Sequence, residues 1–227
     1  MISNGYKAAA INAPTPSFQK GIIIQRVISF IEESLIGFQA EYINNKNHSE
    51  ERTSQYLANY LIDNGRKEVF LFNREALQEQ EKGNDRRVDI GVFLHRSDFS
   101  PFFTLEAKRL PTPGADREKE YVIGIDKKSG GIERYKLSLH GGDIEKSAIV
   151  GYVEKLDFSH WAAKINEWIE ELISAPQAPE LTWYQDDKLV DEIKLCPDNV
   201  SRFQAKHARV NKNQMHLMHY FIRIQKK

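Results

Sequence analysis

The chain is short of every feature that would place it outside the ordinary globular class. It has a single cysteine, Cys196, among 227 residues, so it can form neither an internal disulfide nor a thiolate metal cluster. That fits a reducing compartment. Its longest apolar runs, GIIIQRVISFI near residues 21–31 and AIVGYV at 148–153, fall far short of the roughly 20 residues a membrane-spanning helix needs. The opening segment MISNGYKAAAINAPTPS has one Lys and no apolar stretch of signal-peptide length before its first prolines. The expectation is a cytoplasmic protein without a membrane partner. Net charge is lacking as well: 32 basic residues balance 32 acidic ones, so the overall field offers no steering toward a phosphate backbone. A cleft needs only local positive charge, however, and carboxylates that hold metal ions cancel nearby Lys and Arg in any global sum.

With 41% hydrophobic and 28% charged residues, the chain can bury a real core. Residues 1–16 are small, polar and Pro-containing and predict a flexible N-terminal arm, with one domain over 17–227. Ile23, Val27, Ile31, Leu35 and Phe38 recur at helical spacing and predict a long amphipathic helix ending before Asn44. Ser49 is a natural N-cap for a second helix, which carries Glu50 and Glu51 in its first turn, buries Leu57 and Leu61, and stops at Asn64-Gly65. EVFLF (68–72), RVDIGVFLH (87–95) and PFFTLEAKRL (101–110) predict an antiparallel meander. A helix in GGIERYKLSL, a buried strand at AIVGYV and an amphipathic helix in HWAAKINEWIEELI (160–173) follow. LTWY, DEIKL, RFQAKHARV and HLMHYFIRI then predict terminal strands. The fold class is α/β, a central mixed β-sheet flanked by helices, with an N-terminal helical element and a C-terminal β-hairpin.

Two of these strands carry chemistry. Strand side chains alternate between faces, so Glu106 and Lys108 project to one side and Ala107 to the other. A hairpin centred between Ser97 and Asp98 puts Asp89 directly opposite Glu106. Cross-strand Cβ atoms lie roughly 5 Å apart, close enough for two carboxylates to share one divalent cation. Both acids interrupt runs otherwise fit for burial, and a buried carboxylate requires a partner. A Mg²⁺ ion held in this way polarises a phosphoryl oxygen and acidifies a bound water, and Lys108 would orient that water or stabilise the developing charge. Glu50 continues the buried face of its helix and is preferred over Glu51 as a further acid at this spot. The competing account is a Glu106–Lys108 or Asp89–Arg87 ion pair on a solvated sheet face.

An acid on a helix, then Asp89, then Glu106-Ala107-Lys108, with a helix and strand after them, resembles the PD-(D/E)XK nuclease superfamily of restriction-endonuclease-like fold, over roughly residues 49–220. Val88 stands where the nominal Pro would be. The likeness is to small standalone bacterial proteins, many associated with defence against foreign DNA. It implies catalytic residues Glu50, Asp89, Glu106 and Lys108, the last as water-activating base. It also implies Asp89, Glu106 and the Ala107 carbonyl as ligands of Mg²⁺, for which Mn²⁺ can substitute. The implied function is a metal-dependent endonuclease acting on nucleic acid, DNA above all. A homodimer suits double-strand cutting, and a partner protein of a defence system would be compatible. The alternative is a non-catalytic nucleic-acid-binding or protein-interaction module retaining the fold.

Several side chains are secondary candidates. Arg134 and Tyr135 in GGIERYKL would border the site and bind substrate, Arg134 through bidentate contact with a phosphate. Lys127, Lys128 and Lys136 add local positive charge there. His207 and Arg209 share a strand face and are candidates for a phosphate contact. His140, His207, His216 and His219 invite a zinc reading, but their spacing matches no structural zinc site.

Overall fold

The computed structural model describes residues 17–43, 49–78, 86–95, 100–125, 128–176 and 180–225. The expected N-terminal arm, Lys127, and the turn of the central hairpin around Ser97 and Asp98 lie outside them.

Two helices open the chain, α1 (Ser17–Tyr42) and α2 (Glu50–Asn64). Val27, Ile31, Leu35 and Phe38 are all buried, as the helical spacing requires. Ser49 caps α2 by accepting the Arg52 N–H at 3.3 Å. Gly65 ends α2, but at φ −79° rather than in the left-handed region expected of a glycine stop, and the chain passes into a short 3₁₀ turn.

The meander β1 (Phe70–Gln78), β2 (Arg86–Leu94) and β3 (Phe103–Leu110) is antiparallel. After it come α3 (Gly131–Lys136), β4 (Lys146–Val153), α4 (Phe158–Ser174), β5 (Val190–Cys196), β6 (Val200–Ala208) and β7 (Gln214–Arg223). The result is an α/β protein with a seven-stranded mixed sheet in the order β1-β2-β3-β4-β7-β6-β5. β4 is parallel to both β3 and β7, whereas β5, β6 and β7 form a C-terminal antiparallel set. No described helix is long and apolar enough to cross a membrane.

LTWY is not a strand. Leu181 and Trp183 bury in the core beside α4, Lys136 lies 5.0 Å from the Trp183 ring, and the segment ends in a 3₁₀ turn, Gln185–Asp187. Its alternating apolar residues satisfy burial without a ladder.

Cores form on both faces of the sheet. α1 and α2 cover Val92, Phe103, Leu105, Ala107 and Val150. α3 and α4 cover Ile149, Val153, Leu217 and Phe221 on the other face. β4 contributes to both, which explains its continuous apolar run. Since Phe103, Leu105 and Ala107 point to α1 and α2, strand alternation sends Glu106 and Lys108 to the α3 face.

One backbone feature of β1 stands opposite the acid of β2. The β1–β2 register passes from Arg74↔Ile90 to Ala76↔Val88, leaving Glu75 at φ 50° between them, opposite Asp89. Gly91 permits this close approach, because a Cβ there would stand 2.5 Å from the Ala76 Cβ and 2.9 Å from the Phe93 ring. Gly91→Val is expected to cost about 1–3 kcal/mol through overpacking, and a thermal melt should show a loss of several degrees. An unchanged melting temperature would rule out this packing constraint.

Candidate functional site

The site begins where β2 and β3 part. Their ladder runs Val92↔Phe103, Gly91↔Thr104 and Ile90↔Leu105 and then stops, although both strands continue. Asp89 and Glu106 are the next pair in that register, the juxtaposition the hairpin arithmetic requires. Past the fork, β3 has backbone N–H groups with no strand to receive them, and a buried N–H needs a partner. Asp89 Oδ2 accepts the Ala107 N–H at 2.8 Å, and Glu50 Oε2 accepts the Arg109 N–H at 2.8 Å. Two acids from different elements thus take the place of a missing strand. Glu50, not the exposed Glu51, is the helical acid at the site.

The cluster closes around Glu106 and Lys108. The Lys108 ammonium lies 3.5 Å from Glu106 Oε1 and 3.9 Å from Glu50 Oε1. Arg134 Nη1 donates to Glu106 Oε1 at 2.9 Å, and His140 Nδ1 lies 3.4 Å from Glu106 Oε2. The alternative partner for Asp89 is excluded by geometry, since Arg87 pairs with Glu75 at 3.2 Å.

These surroundings push the two facing carboxyls apart. Burial, then the neighbouring Glu106, raises the Asp89 carboxyl to about 8. Burial alone would raise Glu106 too, but His140, Lys108 and Arg134 outweigh it and hold that carboxyl below its ordinary value. Two acids in one site separate in this way when they cannot both ionise cheaply. Burial raises Glu50 against the opposing pull of Lys108 and the Arg109 N–H. Burial would lower the Lys108 ammonium, yet Glu106, Glu50 and Asp89 together raise it above its usual value. Lys108 is therefore a fixed cation near neutral pH, which suits charge stabilisation and disfavours the role of water-activating base.

The segment GGIERYK places its guanidinium by docking tightly. A Cβ on Gly131 would stand 2.8 Å from the Tyr121 carbonyl oxygen and 3.5 Å from the Lys108 stem, so only glycine lets α3 settle against β3. Glu133 accepts the Gly124 and Gly130 N–H groups at 3.1 and 3.0 Å, stapling the helix to the preceding loop. Arg134 is then the cation that reaches solvent: its side chain is 29% exposed, against 10% for Lys108.

Other expected substrate contacts fall elsewhere. Tyr135 is fully buried, its hydroxyl donating to the Ala148 carbonyl at 3.3 Å and lying 3.2 Å from Thr104 Oγ1. Lys136 is buried as well, with both Asp187 carboxylate oxygens within 2.8 Å. His207 is fully buried, with Nδ1 2.6 Å from Asp187 Oδ1. Arg209 donates to the Gly142 and Ile144 carbonyls, each at 2.7 Å. Helical and strand periodicity cannot distinguish these buried polar networks from exposed contacts. The assignment of Tyr135, His207 and Arg209 to substrate binding is accordingly corrected.

His140 is the residue that sequence reasoning missed here, having weighed it only as a zinc ligand. The chain after α3 folds back, with the Leu139 and His140 N–H groups both donating to the Arg134 carbonyl, and this brings the imidazole over Glu106. No spacing in LSLHGGD announces it.

Among the described residues, no three His, Cys, Asp or Glu side chains are arranged to hold a metal ion between them. Mg²⁺ makes a smaller demand, taking one or two carboxylates and keeping several waters. Asp89 and Glu106 are the pair that could meet it: they face each other across the fork, and burial beside Glu106 makes ionising Asp89 unfavourable without a cation. Ala107 sends its N–H toward Asp89, and a strand residue's carbonyl leaves on the same side as its N–H, so that oxygen also borders the acids.

Compared with protein-family models, curated proteins and solved structures, the chain matches none.

The raised Asp89 carboxyl has a consequence for stability. The folded state binds a proton that the unfolded chain releases near pH 4, so this contribution is present at low pH and is lost as pH rises through about 8. Asp89→Asn removes the titration while keeping an acceptor for the Ala107 N–H. In chelator, its melting temperature relative to the native chain is expected to climb between pH 5 and pH 9. A difference that stays flat with pH would show that the carboxyl is not perturbed.

Proposed function

We propose that this chain is a divalent-metal-dependent endonuclease of the PD-(D/E)XK type, with the restriction-endonuclease-like fold, hydrolysing phosphodiester bonds in DNA in a defence or restriction setting. The observation that carries the reading is the convergence of Glu50, Asp89, Glu106 and Lys108 at one fork in the sheet. The seven-stranded mixed sheet with helices on both faces is compatible with it. DNA and defence rest on the sequence resemblance.

Asp89 and Glu106 would hold Mg²⁺ or Mn²⁺, with the Ala107 carbonyl beside them, and the ion would neutralise the acid pair, polarise a phosphoryl oxygen and acidify the water that attacks phosphorus as the bond to the leaving oxygen breaks. The chain's own cations supply the rest. Lys108, fixed between Glu106 and Glu50, meets charge developing on the phosphate without needing to reorganise. Arg134 keeps N–H donors beyond those spent on Glu106 and the Lys128 carbonyl, and its partial exposure suits a phosphate oxygen of the incoming strand. Glu50 acts as a positioning residue, holding the β3 backbone at Arg109 and the Lys108 ammonium together.

A second reading draws on a specific observation. Glu106 already has Lys108, Arg134 and His140 around it, which favours a structural ion-pair network in a non-catalytic module that keeps the fold. Magnesium separates the two. The enzyme should bind Mg²⁺, more tightly as pH rises toward 8 because Asp89 must lose a proton, and Asp89→Ala should abolish that binding. On circular and linear DNA, Lys108→Ala should cut at roughly one hundredth of the native rate or less. Equal cleavage by both proteins would remove this mechanism, and absence of Mg²⁺ binding would favour the non-catalytic module.

A further inference from the structure

Away from the acid cluster, on the face covered by α1, three basic side chains stand in one row. His216 of β7 is paired in register with Lys146 of β4 on one side and Lys206 of β6 on the other. All three belong to the set of strand positions that faces α1: Ala148 and Met218 follow them at i+2 in the α1 core, and Arg202, four before Lys206, is ion-paired with Glu32 of α1. Like charges directly across a sheet repel, and burial together with the two lysines lowers the His216 imidazole.

The row lines a groove of about 450 Å³ between the N-terminal half of α1 and the sheet. Ile28 and Met218 give it an apolar wall. The other cations in its lining are already engaged, Arg202 by Glu32 and Lys188 by Glu170. Lys146 and Lys206 have no ion-pair partner among the described residues. Of the acids in the lining, Asp191 accepts the Gln204 amide at 2.7 Å, and Asp186 belongs to the 3₁₀ turn Gln185–Asp187. The row thus gathers basic side chains that make no ion pair among the described residues in a concavity within the roughly 300–1,000 Å³ range of small-ligand sites.

We propose that this groove binds a phosphorylated ligand of nucleotide size, with Lys146, His216 and Lys206 holding the phosphate and Ile28 and Met218 receiving the apolar part. A phosphate bridging the two ammonium groups and the imidazole between them turns a repulsive row into a set of hydrogen bonds, charge-assisted at both lysines. The phosphate belongs either to a free nucleotide or to a nucleotide within a strand. The site is independent of the acid cluster and does not require the nuclease reading.

Calorimetric titration of the full chain in chelator, with AMP, adenosine, inorganic phosphate and a short single-stranded oligonucleotide, tests it. AMP is expected to bind, adenosine at least about tenfold more weakly, since it lacks charge-assisted bonds each worth more than a decade in affinity. The double variant Lys146→Gln, Lys206→Gln should lose at least about tenfold for AMP. As a check that does not depend on a variant folding, the His216 ring resonances of the native chain should move during the AMP titration. Oligonucleotide binding that the double variant weakens, with AMP inert, would assign the phosphate to a strand. Failure of both AMP and oligonucleotide to bind at millimolar concentration would overturn the proposal. So would binding that survives the double variant, adenosine binding as well as AMP, or His216 resonances that stay still while AMP or the oligonucleotide binds.

Discussion

The arrangement depends on a fork in the sheet, because once β2 leaves β3 beyond Ile90↔Leu105 the β3 backbone must find other acceptors. Asp89 and Glu50 provide them, and in doing so they bring carboxylates from a strand and a helix to the same few ångströms as Glu106. The need to satisfy two peptide N–H groups and the assembly of an acid cluster are therefore one event. Replacing either acid by an apolar residue would orphan a backbone donor as well as remove a charge, which is why an isosteric amide is the informative substitution at Asp89.

From that constraint the electrostatics follow. Three acids cannot ionise together in a buried place without cations, and the chain supplies Lys108 from the same strand face, Arg134 from α3 and His140 from the returning loop. These concentrate on Glu106 and leave Asp89 short of compensation, so the proton settles on Asp89. A purely structural network would gain by compensating both acids. The asymmetry leaves Asp89 as the carboxyl whose ionisation is unfavourable, the kind of perturbed group that clusters at functional sites. Opposite it, Glu75 at positive φ is local backbone strain at the same point, and Gly91 admits the Ala76 side chain nearby.

Legibility in the sequence followed the range of the interaction. Elements set by local periodicity were readable: the stripe of α1, the Ser49 cap, the meander and the buried β4 strand all stand where spacing put them. The Asp89–Glu106 juxtaposition was readable because a two-residue period and a hairpin centre determine a register without further knowledge. What failed involved partners distant in sequence. LTWY alternates like a strand but buries beside Lys136 and α4, and Tyr135, His207 and Arg209 look like exposed contacts until Ala148, Asp187 and the 142–144 loop are packed against them. His140 reaches Glu106 only through a loop that folds back onto α3, and residue spacing carries no record of such a return.

The balanced overall charge conceals a separation that matters more than the sum. On the α3 face, acids outnumber what their surroundings can comfortably ionise, and cations are drawn in to hold them. On the α1 face, Lys146, His216 and Lys206 stand side by side, and neither lysine makes an ion pair among the described residues. Each cluster is local and only partly screened, because wall atoms displace water around it. A neutral chain built this way gains nothing from long-range steering, so whatever binds at either place must be captured by short-range geometry. That geometry favours a compact divalent cation at the fork and a compact phosphate in the groove, where a point charge can meet several fixed partners at once.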